Sequence, residues 1–219
     1  GACSGGSGDD GPKNPIGEQA FTTVWLTSNE GESASNQIRL PLEDQGVYDF
    51  TVDWGDGTSD VITAWDAPEA THTYATAGQY EVKITGTIQG FSFGTRPYNA
   101  SPKHFGDSLK LLEIKSWGPL RLGNRTGYFY CCSNMTISAT DILSLDGTTN
   151  ATMMFAYCNS LSIVPSIEQW DTSNVTTMQW MFYCASSFNQ SIDSWDVSNV
   201  TDISFMFGFA NAFNQNISD

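Results

Sequence analysis

The stretch SNVTTMQWMFYCASSFNQSIDSWDV, residues 173–197, is followed at once by SNVTDISFMFGFANAFNQNISD, residues 198–219. Asn-Val-Thr, Met-Phe and Phe-Asn-Gln fall at matching places in both, and no obvious catalytic residue is copied with them. A segment repeated in this way is a structural unit: alone it cannot hide its apolar side, and stacking against its neighbours hides it. Outward from this pair, Phe129, Phe155, Phe182 and Phe207 are separated by 26, 27 and 25 residues, and Met135, Leu161, Phe188 and Phe213 each follow six positions later. Four units share one template.

The best-formed copy places apolar residues at Ile192, Trp195, Val197, Val200, Ile203, Met206, Phe207, Ala210 and Phe213. The first of these alternate, as in a short strand with one face inward; the later ones step by three and four, as on a helix. Asn199 at the junction, with Asp202 three residues on, suits a helix cap in which side-chain oxygens satisfy the orphan N–H groups of the first turn. Each unit therefore reads as a strand, a turn and a helical turn, with Phe182 and Phe207 at inward corners. Met178, Met181 and Met206 also fall on inward positions, whereas Trp180 and Phe205, one residue before each Met-Phe, are surface candidates.

In 219 residues, 24 acids face 9 bases, for a net charge of −15. That balance repels phosphate backbones and anionic lipid surfaces, so nucleic acid is excluded as a partner class. Aromatics reach 13% with seven Trp, far more than a disordered acidic chain carries. No run of 18 apolar residues is present to span a membrane as a helix. The length accommodates two modest domains behind a tether. Residues 1–19 are the tether, 20–95 a first module and 96–219 the repeats. Gly1-Ala2-Cys3-Ser4 resembles the end of a bacterial lipobox, which implies lipidation at Cys3, followed by a flexible Gly/Ser/Asp linker.

Residues 21–93 alternate apolar and polar residues over short runs broken by Gly, Pro, Asn and Asp, the pattern of an antiparallel sandwich. Val47-Tyr48-Asp49-Phe50-Thr51-Val52-Asp53-Trp54 ends in Gly55-Asp56-Gly57-Thr58, where glycine supplies the positive φ of a tight turn. In Gln79-Tyr80-Glu81-Val82-Lys83-Ile84, residues Tyr80, Val82 and Ile84 share one inward face. Val52-Asp53-Trp54-Gly55-Asp56-Gly57-Thr58, His72-Thr73-Tyr74 and Gly78-Gln79-Tyr80-Glu81-Val82 together resemble the polycystic kidney disease (PKD) domain, which implies an immunoglobulin-like β-sandwich used as a spacer or binding module. Asp53, Asp56 and Asp60 invite a calcium hypothesis, but Asp-Gly turns arise for backbone reasons alone. His72 reads as packed near Trp54. With only His72 and His104 in the chain, a His-dependent hydrolase has little to work with.

The repeats resemble bacterial surface leucine-rich repeats of the BspA type, and more closely their DUF285 variant with Met-Phe, Ser-Phe-Asn-Gln and Trp-Asp-Val-Ser-Asn-Val-Thr. Residues 167–219 carry the resemblance strongly and 105–166 loosely. It implies adhesion to a host or matrix protein from a lipid-anchored position on the bacterial cell surface. The expected fold is thus an Ig-like, PKD-like β-sandwich followed by an α/β leucine-rich-repeat solenoid. Ser218-Asp219 stops where the preceding unit goes on to Trp195, so the last unit is expected to be open or continued, and end-to-end association is one consequence.

On this template the solvent-facing strand side offers Gln169, Asp171, Thr172, Ser194, Asp196 and Ser198 as ligand-binding candidates for a protein or glycan. No catalytic, cofactor or metal residue is singled out, so the chain reads as a non-enzyme. The alternatives are an accessory of a polysaccharide-degrading system, lacking the two flanking carboxylates that glycoside hydrolysis requires, and a self-associating structural surface protein. Asn-x-Ser/Thr triplets such as those at Asn124, Asn134, Asn150, Asn174, Asn199 and Asn216 read as turn and cap residues. Cys131, Cys132, Cys158 and Cys184 read as free, small hydrophobes, although rows spaced by about 5 Å leave a Cys132–Cys158 bridge geometrically open.

Overall fold

A computed structural model describes residues 19–94 and 105–217; Cys3 with its linker, His104 and Ser218-Asp219 lie outside the described residues. Among the described residues nine strands form: β1 (Phe21–Leu26), β2 (Gln37–Arg39), β3 (Leu42–Asp53), β4 (Ser59–Ile62), β5 (Thr71–Thr73), β6 (Gln79–Phe91), β7 (Leu111–Ser116), β8 (Leu120–Arg121) and β9 (Thr136–Ile137). Seven make one mixed sheet in the order β4-β3-β6-β1-β7-β9, with β8 beside the far half of β6, and β2 pairs with β5 in a second, two-stranded sheet.

Alternation decides β3 and β6. Tyr48, Phe50 and Val52 are buried while Asp49, Thr51 and Asp53 face water, and Val52 lies opposite Ile84 of β6. The turn after β3 needs its glycine, because a Cβ on Gly55 (φ 79°) would sit 2.4 Å from the Glu81 carbonyl oxygen. Around that turn the three acids serve local geometry. Asp53 Oδ1 accepts from the Gly55 N–H, Asp56 Oδ1 from Thr58, and Asp60 Oδ2 from the Trp54 indole. His72 stacks on Trp54 with ring centroids 4.7 Å apart, as its sequence context suggested, and its Nε2 lies 2.9 Å from Asp56 Oδ2.

β7 runs antiparallel to β1, and β9 parallel to β7, so the sheet extends into the segment that opens the repeats. A buried ion pair ties the same region back to the first strands. Asp107 and Lys110 have fully buried side chains, and Ser33 on the loop before β2 bridges them, accepting from Lys110 Nζ at 2.7 Å and donating to Asp107 Oδ2 at 2.6 Å.

Beyond Ile137 the expected α/β leucine-rich-repeat solenoid is overturned. Among the described residues there is no α-helix, only short 3-10 turns such as Ile167–Gln169, and where repeat strands were expected there are isolated bridges linking Asn150, Thr177 and Asp202. Asn199 caps no helix; its side-chain amide donates to the Ser173 carbonyl of the preceding unit. What forms instead is a set of turn-built rows: 126–132, 151–158, 178–185 and 203–210. Within a row, alternate N–H groups close turns, as in Met154 to Ala151 and Cys158 to Phe155. The others reach forward to the next row: Phe129 to Met154, Phe155 to Met181 and Phe182 to Met206, at 2.8–2.9 Å. Turns closed over three residues bring i and i+3 to one side, so their apolar spacing mimics a helix's. The spacing was real and the helix was not.

The inner side is aromatic. Phe129, Phe155, Phe182 and Phe207 form a column with successive ring centroids 5.6 Å apart, and Trp170 stacks on Trp195 at 6.2 Å. Met178, Met181 and Met206 are buried beside them, in keeping with their inward assignment.

Candidate binding surface

The proposed strand-side row is not a strand. Gln169, Asp171, Ser194, Asp196 and Ser198 are exposed, but Thr172 is only 2% exposed and its hydroxyl donates to the Asp196 carbonyl at 3.0 Å, which withdraws it from any ligand surface. The acids are turn residues: Asp171 Oδ1 accepts from the Ser173 N–H and hydroxyl, and Asp196 Oδ1 from the Ser198 N–H. Hydrogen bonds from Ser198 hold the Asp196 carboxyl below its ordinary range. The Ser194 hydroxyl donates to the Glu168 carbonyl of the neighbouring unit. The structure therefore uses Thr172 and Ser194 to fasten neighbouring units and the two acids to close their own turns.

A different surface is built by the backbone. Met153, Tyr157, Trp180, Cys184, Phe205 and Phe209 all have left-handed φ, between 54° and 63°. That conformation costs a residue with a Cβ about 1–2 kcal/mol, and here it turns these side chains outward while Phe155, Phe182 and Phe207 between them turn in. None of the six is fully buried, and Phe205 and Phe209 are 66% and 68% exposed. The result is an aromatic flank. Tyr130, Tyr157, Tyr183 and Phe209 meet edge to face at 5.4–5.6 Å, and Trp180 stacks on Tyr183 at 4.8 Å and meets Phe205 at 5.9 Å.

Sequence reasoning found Trp180 and Phe205 and missed Tyr157 and Phe209, because left-handed backbone is ordinarily marked by Gly or Asn. One signal was available. Gly127, with φ 66°, occupies in the first row the place of Met153, Trp180 and Phe205 in the others.

A smaller polar cleft of about 190 Å³ lies where the β3 and β6 ends meet the loop holding Asn124 and Arg125. Glu43 Oε1 is buried there without a hydrogen-bond partner, and burial pushes the Glu43 carboxyl up to about 7 against the opposing pull of Arg125. The folded protein then holds this proton more tightly than the unfolded chain does. The stability contributed by protonated Glu43 is lost as pH rises from about 4.5, the ordinary value, through about 7. Glu43→Gln should remove that decline, raising stability by roughly 1–2 kcal/mol at pH 8 and leaving it nearly unchanged at pH 4. Urea melts of both proteins across this range measure the difference; parallel pH profiles would show that Glu43 is not the titrating group.

The four described Cys are free thiols, three of them buried, and burial pushes Cys132 and Cys158 well above the ordinary thiol range. Among the described residues no cluster of three or more His, Cys, Asp or Glu is placed to hold a metal ion, and no helix is long and apolar enough to cross a membrane. No curated protein and no solved structure matches the chain. Residues 113–219, from β7 through the four aromatic rows, match the family described as "Mycoplasma protein of unknown function, DUF285".

Proposed function

We propose that the chain is a non-enzymatic binding protein, displayed at the bacterial cell surface through lipidation of Cys3, whose aromatic flank engages a protein or glycan partner. The observation that carries the reading is the line of outward aromatics Tyr157, Trp180, Phe205 and Phe209, held at left-handed positions in successive rows. A backbone conformation that costs energy at every row buys an exposed strip of rings. Aromatic side chains with few rotatable bonds offer large contact areas at low entropic cost, and such residues dominate binding hot spots. The resemblance of residues 20–95 to the PKD module supports a spacer role for them, and the lipobox-like Gly1-Ala2-Cys3-Ser4 supports the anchor.

The test is a binding screen of the whole chain against immobilised matrix proteins and glycans, followed by variants. Trp180→Ala and Tyr157→Ser should each weaken binding of a hit by roughly tenfold or more, as hot-spot truncations do. Asp171→Asn with Asp196→Asn should leave it nearly unchanged. If the paired Asn variant loses binding while the aromatic variants keep it, the turn-side acids are the true surface and the flank reading fails.

A further inference from the structure

The register of β3 against β6 slips once. Leu42 lies opposite Phe91 and Val47 opposite Gln89, so residues 43–46 share the space opposite Gly90 alone. A bulge of this kind bends its strand and re-aims a side chain, and here it brings the Glu43 carboxyl to the polar cleft of about 190 Å³. Both walls of the cleft are pinned. The Tyr48 hydroxyl accepts from the Glu43 N–H at 2.7 Å and donates to the Gly90 carbonyl at 2.8 Å. Across from it, the Thr148 hydroxyl donates to the Gly123 carbonyl at 2.9 Å, and Asn124 Oδ1 accepts from the N–H groups of Thr149 and Asn150. A Cβ on Gly90 or on Gly123 would lie 3.2 or 3.4 Å from Glu43 Oε2, so two glycines keep the space beside that oxygen open.

The carboxyl in this cleft lacks a counterpart. Oε1 is buried without a hydrogen-bond partner, and what acts on the group is burial with the charges of Arg125 and Asp44, not a hydrogen bond. Arg125, the cation that faces it, is already bonded through Nη2 to Asp44. The other ionisable groups against it are the Tyr48 and Tyr128 hydroxyls, which burial keeps uncharged. A partly buried carboxylate with neither an ion partner nor a donor is costly, and the cost falls when a cation bearing N–H donors enters. An anion would meet the carboxylate, a neutral alcohol would leave its charge unmatched, and a divalent ion would need more carboxylate oxygens than one unpaired group supplies. The net charge of −15 draws cations toward the surface, and the Gln45 and Gln89 side chains in the lining add amide oxygens that accept.

We propose that this cleft binds a primary ammonium group on a short alkyl stem, with Glu43 as its counter-ion and the Gln45 and Gln89 amide oxygens as further acceptors. The same chemistry is carried by a free alkylamine and by a lysine side chain. The site shares no residue with the aromatic flank and does not rest on that reading.

Isothermal titration calorimetry of the full chain at pH 8 tests it with two probes, n-butylammonium chloride and N-acetyl-lysine amide, and with n-butanol as the uncharged control. Saturable binding of at least one probe is expected, roughly tenfold or more tighter than n-butanol. An affinity for butylammonium equal to or above that for the lysine derivative assigns the site to free amines; the reverse order assigns it to a lysine side chain. Both probes stay cationic down to about pH 5.5. The Glu43 carboxyl, held up to about 7, loses its charge over that range, so affinity should fall roughly tenfold or more as the binding-competent fraction shrinks. Glu43→Gln keeps the shape and removes the charge; it should weaken binding by a similar factor and abolish the pH dependence. In the unaltered chain the Glu43 carboxyl carbon resonance should titrate at a lower midpoint when probe is saturating, a readout that requires no variant. Binding of n-butanol as tight as that of the probes, an affinity constant across the pH range, unchanged affinity in Glu43→Gln, an unmoved Glu43 midpoint, or no saturable binding of either probe would each overturn the proposal.

Discussion

Lys110→Met is expected to destabilise the protein by about 3–5 kcal/mol, because removing one member of a buried ion pair leaves the other charge uncompensated. Both side chains of the pair are fully buried, with Nζ 3.6 Å from Asp107 Oδ1. Lys110 Nζ also reaches the Ser33, Ala34 and Gln37 carbonyls at 2.8–3.1 Å, so the loop before β2 is wrapped around the ammonium. Asp107 in turn accepts from the N–H groups of Ser33 and Arg39. Burial pushes the Lys110 ammonium below its ordinary range while Asp107 opposes the shift. Methionine fills similar volume but leaves a buried carboxylate and several carbonyls with lost partners. Urea unfolding at pH 7 measures the change; a loss under about 1 kcal/mol would mean that water reaches the pair. Pairing Lys110→Met with Asp107→Leu should recover part of the loss, since both charges are then gone.

Phe182→Ala is expected to cost about 3–5 kcal/mol, the range for truncating a buried aromatic. Its ring is fully buried between Phe155 and Phe207, faces Phe188 at 4.1 Å and lies 6.4 Å from Trp195. Alanine would open a void that fixed rows on both sides cannot close. Phe207→Ala, at the half-buried end of the same column, should cost clearly less. Thermal melts of the two variants give the ordering, and equal losses would mean that the column is not the main support of the rows.

Much of this was legible in the residues. The alternation in Val47-Tyr48-Asp49-Phe50-Thr51-Val52 announces β3, Asp-Gly marks its turn, and the Phe spacing of 26, 27 and 25 marks the rows. The internal build of a row was not, because turns closed over three residues and a helix place apolar side chains at nearly the same intervals. The sheet membership of β7 and β9 depends on pairing with distant strands, which local pattern does not encode. At the candidate surface, Trp180 and Phe205 were visible as residues off the inward template. Tyr157 and Phe209 were hidden behind a left-handed backbone that no Gly announces, and Thr172 looked polar and exposed although its hydroxyl bridges two rows.

Within the rows the N–H groups of Phe129, Phe155 and Phe182 reach forward, while beside the rows those of Ser160, Thr176, Thr201 and Ala212 reach back to the preceding unit, and this two-way stitching of each unit to the next bears on the order of assembly. During synthesis the residues just past β6, with their Ser92 and Phe93 donors, leave the ribosome before the first row that accepts from them, and each finished unit then presents donors such as Phe155 N–H and acceptors such as the Thr149 carbonyl to a unit that has not yet emerged. Rows can therefore settle one at a time in the order of translation, each templated by the last, without waiting for distant sequence. Pulsed amide exchange during refolding would read the same order as protection of Gly127, Phe129 and Cys131 ahead of Trp180, Phe182 and Cys184.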